Sequence, residues 1–188
     1  MAEHSAGDSP TIGRQIIELA IMVILVIGCY FGLRYFVVGT YEIPSSSMEN
    51  TIQVGDRVFS EKISYYSREP EVGEVITFDD PLKEETTLIK RVVAVGGDTV
   101  DLRDGKVYVN GEERDEPFTQ GKESWPLDPA PGVDISYPYT VPHGYLWVMG
   151  DNRTNSADSR YFGAIPVTAV SGHANIIYWP LDHIGALE

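Results

Sequence analysis

The sequence predicts a mainly β protein, an antiparallel β-sheet or barrel-like body anchored by one N-terminal transmembrane helix. Residues 16–38 form an almost wholly apolar run, long enough to cross a bilayer. Beyond Gly39 the hydrophobic residues alternate with period two between turn signals, and no soluble amphipathic helix pattern interrupts them. A chain of 188 residues, 43% hydrophobic and 22% charged, suits one globular domain with a proper core rather than two.

Met1–Gly13 is polar and rich in small residues, which predicts a disordered tail over residues 1–15 ahead of the span. A helix over 16–38 reaches roughly 30 Å, the thickness of a hydrocarbon core. Glu18 and Arg34 lie near its two ends, where their heads can snorkel to opposite interfaces, and Tyr30, Tyr35 and Phe36 suit the exit side. A buried core helix and a cleaved signal peptide are the competing readings. Against cleavage, the basic n-region would be Arg14 alone and no Ala-x-Ala follows. Arg14 and Arg34 flank the span nearly symmetrically, so charge does not orient it.

Short strands are expected at Arg57–Lys62 and Glu74–Phe78, joined through Pro70 and Gly73. Thr87–Val95 is a β-branched run that reads as a central strand ended by Gly96-Gly97-Asp98. Thr99–Arg103 and Lys106–Val109 form a hairpin through Asp104-Gly105, and Asn110-Gly111 marks a second tight turn. Residues 115–142, rich in Pro and Gly, read as a surface excursion with an edge strand near Tyr137, and the sequence assigns them no role. Tyr145–Met149 and Val170–Trp179 complete the body.

The formal charge of −14 argues against a nucleic-acid partner, because phosphate binding needs clustered Lys and Arg. The single cysteine, Cys29, excludes an intramolecular disulfide, and no stretch has zinc- or calcium-ligand spacing. No metal or other cofactor is therefore expected, and any catalysis falls to side chains.

Three stretches are too polar and particular for ordinary strand or turn. Pro44-Ser45-Ser46-Ser47-Met48 reads alone as a linker, yet it follows the membrane exit directly and is flanked by Ile43. Lys90 stands inside an apolar strand, on one face with Leu88 and Val92. It is either a strand-edge lysine with its head in solvent, or a buried amine whose pKa is lowered enough to accept a proton. Gly150–Arg160 packs Asp, Asn, Ser and Arg densely enough to be a loop wired by side-chain hydrogen bonds, or simply a surface turn. Serine with neutral lysine is an established nucleophile–base arrangement. The histidines offer less: His4 is in the tail, His143 in a turn, His183 near the C-terminus, and His173 has no carboxylate signature beside it. Asn152-Arg153-Thr154 is a chance-grade glycosylation sequon.

Pro44–Met48, Lys90-Arg91-Val92 leading to Gly97-Asp98, and Gly150-Asp151-Asn152-Arg153 continuing through Asn155–Arg160 occur here in the order seen in bacterial type I signal peptidases. From the apolar span to Trp179 the chain resembles that family of membrane-anchored Ser/Lys leader peptidases, in its compact kind. The resemblance implies a serine endopeptidase that cleaves signal peptides after Ala-x-Ala, without cofactor. It implies Ser47 as nucleophile, Lys90 as general base, and Ser45 with the Ser47 N–H as oxyanion donors. Ser156 would hold Lys90, Asp158 and Arg160 would brace the loop, and Ile43, Met48 and Ile89 would shape the substrate pockets. The implied partners are signal-peptide-bearing preproteins and the lipid bilayer, with the export translocon as a further contact. The implied location is the bacterial cytoplasmic membrane, single-pass, with residues 39–188 as an extracytoplasmic catalytic domain. Two positions depart from the family's usual pattern, Asn50 and Gly96, where proline is common. A silent scaffold of the same fold acting in pilus or surface-protein assembly is the alternative. A soluble self-cleaving repressor is a remoter one, disfavoured by the span and the acidic charge.

Overall fold

The computed structural model describes residues 12–187. The tail expected over 1–15 lies outside them as far as residue 11, and residues 12–15 are already helical. The chain divides into two compact units at Val37 and Val38.

The first unit is helix α1 (Ile12–Phe36), whose 25 residues rise through about 37 Å. It begins four residues before the expected start and buries none of its residues. Arg14 pairs with Glu18 one turn later, at 2.8 Å.

The second unit contains two antiparallel sheets. The larger uses β1 (Val38–Glu42), β2 (Arg57–Glu61), β3 (Val75–Asp79), β4 (Thr87–Val95), β9 (Tyr145–Met149), β10 (Ile165–Pro166), β11 (Val170–Trp179) and β12 (Gly185–Ala186). Its spatial order is β1-β2-β11-β3-β4-β9-β10, an open path with β12 added against β11. The smaller sheet runs β7 (Glu112–Glu113), β6 (Lys106–Val109), β5 (Thr99–Arg103), β8 (Tyr139–Thr140). The hairpin between β5 and β6 turns through Asp104 and Gly105, both with positive φ (51° and 74°), the type I′ signature that the dipeptide predicts. The edge strand expected near Tyr137 is β8, two residues on.

β4 carries the logic of the body. It lies between β3 and β9 and has cores on both faces, which is why its sequence is a nearly unbroken apolar run. Val92 packs with Ile76, Phe78, Leu146 and Val148, whereas Val93 and Ala94 both join Val100, Leu102 and Trp147 in the core shared by the two sheets. Two successive residues reach the same core because Val93 is an extra residue in the ladder, where the register shifts between Val92↔Val148 and Ala94↔Trp147. Each fully buried Val, Leu or Phe here contributes about 1.5–3 kcal/mol. A third core, Ile43, Met48, Ile52, Val58, Val75, Ala174 and Ile177, lies beneath the serine stretch and fixes it from below.

Gly96, at the end of β4, departs from proline for a steric reason. A Cβ there would come within 2.9 Å of both the His143 Cα and the Pro142 carbonyl oxygen.

Candidate active site

The serine stretch leaves β1 as a strap that folds back on itself. Ile43 N donates to the Asp56 carbonyl and Gly55 N to the Ile43 carbonyl, both at 2.9 Å. Ser46–Met48 then form a single 3₁₀ turn. Ile43 before the serines and Met48 and Ile52 after them are buried in one core, so the turn is nailed down on either side of its polar residues. Asn50 takes a φ of +97°, open to asparagine and closed to proline, and its Nδ2 donates to the Thr119 carbonyl at 3.4 Å.

Lys90 reaches this turn from β4. Its Nζ donates to Ser47 Oγ at 2.6 Å and to the Ile89 carbonyl at 2.9 Å. Only 3% of Lys90 and 9% of Ser47 are exposed, so the strand-edge reading of this lysine does not describe it. Burial drives its pKa down to about 8, and the carboxylates of Asp158, Asp151 and Asp80 hold it from falling further. Ser45 is exposed, with its Oγ 3.4 Å from Ser47 Oγ.

The loop from Gly150 to Arg160 is wired as its composition suggests. Asp158 accepts from Arg160 Nε and Nη2 at 2.8 and 2.9 Å, caps the short helix α2 (Ser159–Phe162), and accepts from Gly150 N at 3.0 Å. Arg153 is bidentate to Glu116 at 2.6 and 2.8 Å and donates to Ser124 Oγ at 2.7 Å. Arg160 also donates to the carbonyls of Arg153 and Trp125, at 2.8 and 3.2 Å. Residues 115–142 therefore supply partners for both arginines of the loop, a task no sequence pattern in the excursion signals.

Ser156 differs from expectation. Its Oγ is out of solvent and makes no hydrogen bond, so the predicted bond to Lys90 is not formed; the Ile89 carbonyl takes that donor instead. The Ser156 hydroxyl nevertheless lies against the turn. A Cβ built on Gly150 would collide with both it and the Ser47 carbonyl, so only glycine lets the loop and the serine turn close on each other.

Sequence reasoning missed Asn152. Its backbone N–H donates to the Ser47 carbonyl at 3.1 Å and its Nδ2 to the Ser46 carbonyl at 2.9 Å, holding the candidate nucleophile from two sides. Ser46 also accepts from Asn155 Nδ2 through its Oγ at 2.8 Å.

A groove opens over the two reactive groups, lined by Pro44, Ser45, Ser47, Val54, Leu88 and Lys90 among others. An adjoining depression lies between the end of β1 and the start of β4, at Tyr41, Ile43, Pro44, Leu88 and Ile89. Ile43 and Ile89 thus reach a surface depression, whereas Met48 is fully buried behind the turn and supports it from within. Val54 and Leu88 are groove residues that the sequence did not single out. Among the described residues no group of His, Cys, Asp and Glu is arranged to hold a metal ion. The chemistry this geometry allows is nucleophilic attack by a serine whose proton has an adjacent, desolvated amine to go to.

A family model described as "Signal peptidase, peptidase S26" matches residues 15–179. The chain is 38% identical over 176 residues to a probable signal peptidase I-2 of Synechocystis sp., covering 91% of this chain and 77% of that protein. It is 34% identical over 244 residues to a probable signal peptidase I of Mycobacterium leprae, covering 99% and 84%. Over 194 residues it is 34% identical to the signal peptidase I of Leptolyngbya laminosa, covering 99% and 88%.

Proposed function

This chain belongs to the signal peptidase family, peptidase S26, and on that premise we propose that it cleaves signal peptides after Ala-x-Ala with a Ser47 nucleophile and a Lys90 general base. The observation that carries the assignment is the 2.6 Å contact between Ser47 Oγ and Lys90 Nζ, with the lysine 97% out of solvent.

Neutral Lys90 accepts the Ser47 hydroxyl proton as Oγ attacks the scissile carbonyl. The oxyanion takes hydrogen bonds from the Ser47 N–H and the Ser45 hydroxyl, a contribution of about 10²-fold for a single such donor. Lys90, now an ammonium, protonates the leaving amine. The acyl-enzyme is released by water that Lys90 deprotonates in turn, restoring Ser47. Substrate lies extended along the depression beside Ile43 and Ile89, adding a strand to a sheet edge, so that small side chains at alternate positions face the shallow walls. Asp158 and Arg160 brace the loop behind the lysine.

The apolar helix and the bacterial relatives fit a membrane-anchored protein. In this reading α1 spans the cytoplasmic membrane once, residues 39–188 work on the extracytoplasmic side, and preproteins arrive in the same bilayer from the translocon. The silent-scaffold alternative has no residue in its favour, since serine and lysine are both present and in contact.

The test is cleavage of a preprotein by the purified chain in detergent. Wild type is expected to cut after Ala-x-Ala, and Ser47→Ala and Lys90→Ala to be inactive. Near-wild-type activity in either variant would falsify the Ser/Lys assignment, and a wild type that binds preproteins without cutting them supports the scaffold.

A further inference from the structure

The Asn152 backbone N–H holds the Ser47 carbonyl whichever way the side chain turns, but its side-chain amide grips the serine turn at Ser46 in only one of its two orientations. With Nδ2 towards the turn it donates to the Ser46 carbonyl and, at 3.3 Å, to Glu49 Oε2. Rotated by half a turn, Oδ1 would face two acceptors and both of those bonds would be lost. What fixes the orientation stands on the other side: Lys122 Nζ donates to Asn152 Oδ1 at 2.8 Å. An ammonium has donors and no acceptor, so it tolerates only Oδ1 there. Thr154 Oγ1, at 3.5 Å, is the other donor to that oxygen. Lys122 also approaches Asn50 Oδ1 at 3.5 Å.

Lys122 is delivered by the excursion. Pro117–Thr119 form a 3₁₀ turn, and Gln120 and Gly121 follow in the left-handed region, with φ of 52° and 76°. The reversal is closed by Lys122 N donating to the Thr119 carbonyl at 3.1 Å, and Glu116, just before the turn, is locked to Arg153.

We infer that Lys122 is a positioning residue for Ser47, holding the Asn152 amide in the orientation that fixes the serine turn. This rests on the proposed role of Ser47 as nucleophile. The excursion thereby acquires a function: it sets the aim of a side chain that lies about thirty residues later in the sequence and never meets substrate itself.

The experiment is steady-state cleavage of a signal-peptide substrate by the full chain in detergent. Lys122→Met is expected to lower kcat about tenfold, the scale of one hydrogen bond's worth of positioning, with KM within about twofold of wild type. Lys122→Arg, which keeps a cationic donor, recovers most of the loss. The acid limb of the pH profile stays where it is, because the carboxylates of Asp158, Asp151 and Asp80, and not Lys122, are the charges acting on Lys90. In an Asn152→Ala background Lys122→Met has no further effect. The inference is overturned if Lys122→Met keeps kcat within about twofold of wild type. An equal loss with Asn152 absent, or a displaced acid limb, overturns it as well. Should Lys122→Met not fold, Lys122→Ala, which also removes the donor, takes its place under the same criteria. An active Ser47→Ala variant defeats the nucleophile assignment itself; an inactive one beside an unimpaired Lys122→Met defeats this inference alone.

Discussion

Arg91 and Asp151 are joined by two hydrogen bonds inside the protein, Nε to Oδ1 at 3.0 Å and Nη2 to Oδ2 at 2.8 Å, with 2% and 0% of their side chains exposed. Arg91 follows Lys90 on β4 and leaves the opposite face of the strand. One strand thus presents the lysine to Ser47 and, one residue later, locks the loop that carries Asn152 and Asp158. The same Asp151 accepts from Thr51 Oγ1 at 2.5 Å, tying in the turn after Met48, and Phe118 covers the guanidinium at 4.1 Å.

Asp151→Ala leaves Arg91 charged, buried and without its carboxylate. The expected cost is about 3–5 kcal/mol of stability, the range for removing one partner of a buried ion pair. Urea unfolding followed by circular dichroism measures it; a loss below about 1 kcal/mol would mean that the pair is solvated or dispensable.

Gly150→Ala tests the closeness of loop and serine turn. The added methyl must displace the Ser156 hydroxyl or the Ser47 carbonyl. A shift of about 1 Å at a reacting atom is expected to lower kcat about 10²-fold, while the far-ultraviolet circular dichroism stays unchanged. Activity within about twofold of wild type would show that the turn is not held by this contact.

Much of this arrangement was legible in the sequence. Alternation along Thr87–Val95 put Lys90 on one face with Leu88, and Leu88 does line the groove with it. Positive-φ dipeptides announced both tight turns, because few residues accept that backbone. The apolar helix was visible as composition, although its bounds differ from the expected 16–38: it starts at Ile12 and ends at Phe36, and Val38 already belongs to β1. What escaped depends on contacts between residues far apart in the chain. Glu116 with Arg153, Phe118 over Arg91 and Lys122 with Asn152 leave no periodic trace, so the excursion looked idle. Ser156 failed in another way. It was expected to hold Lys90, yet its Oγ makes no hydrogen bond and the lysine's donors go to Ser47 and the Ile89 carbonyl, a competition among acceptors that no motif records.

Lys90→Met should separate stability from function. The folded-state pKa of about 8 lies below the 10.5 of an unfolded lysine. Below pH 8 both states hold the proton, and burying the ammonium costs about 3 kcal/mol. Between pH 8 and 10.5 only the unfolded state holds it, so stability rises with pH; above 10.5 neither does and the cost is gone. Lys90→Met is therefore expected to be more stable than wild type at pH 7, by about 1–3 kcal/mol, with the difference shrinking towards pH 11. Urea midpoints at the two pH values measure it. A variant less stable than wild type at pH 7 would show that the lysine's hydrogen bonds outweigh its desolvation.

The most direct test of the central claim, that a buried neutral Lys90 takes the proton of Ser47, is the pH dependence of kcat/KM for cleavage of a signal-peptide substrate. Only the neutral amine accepts a proton, so the rate should be low in acid and rise to a plateau with its midpoint near pH 8. A midpoint near that of a solvated lysine, about pH 10.4, would contradict the account, as would a rate that does not vary between about pH 6 and 9.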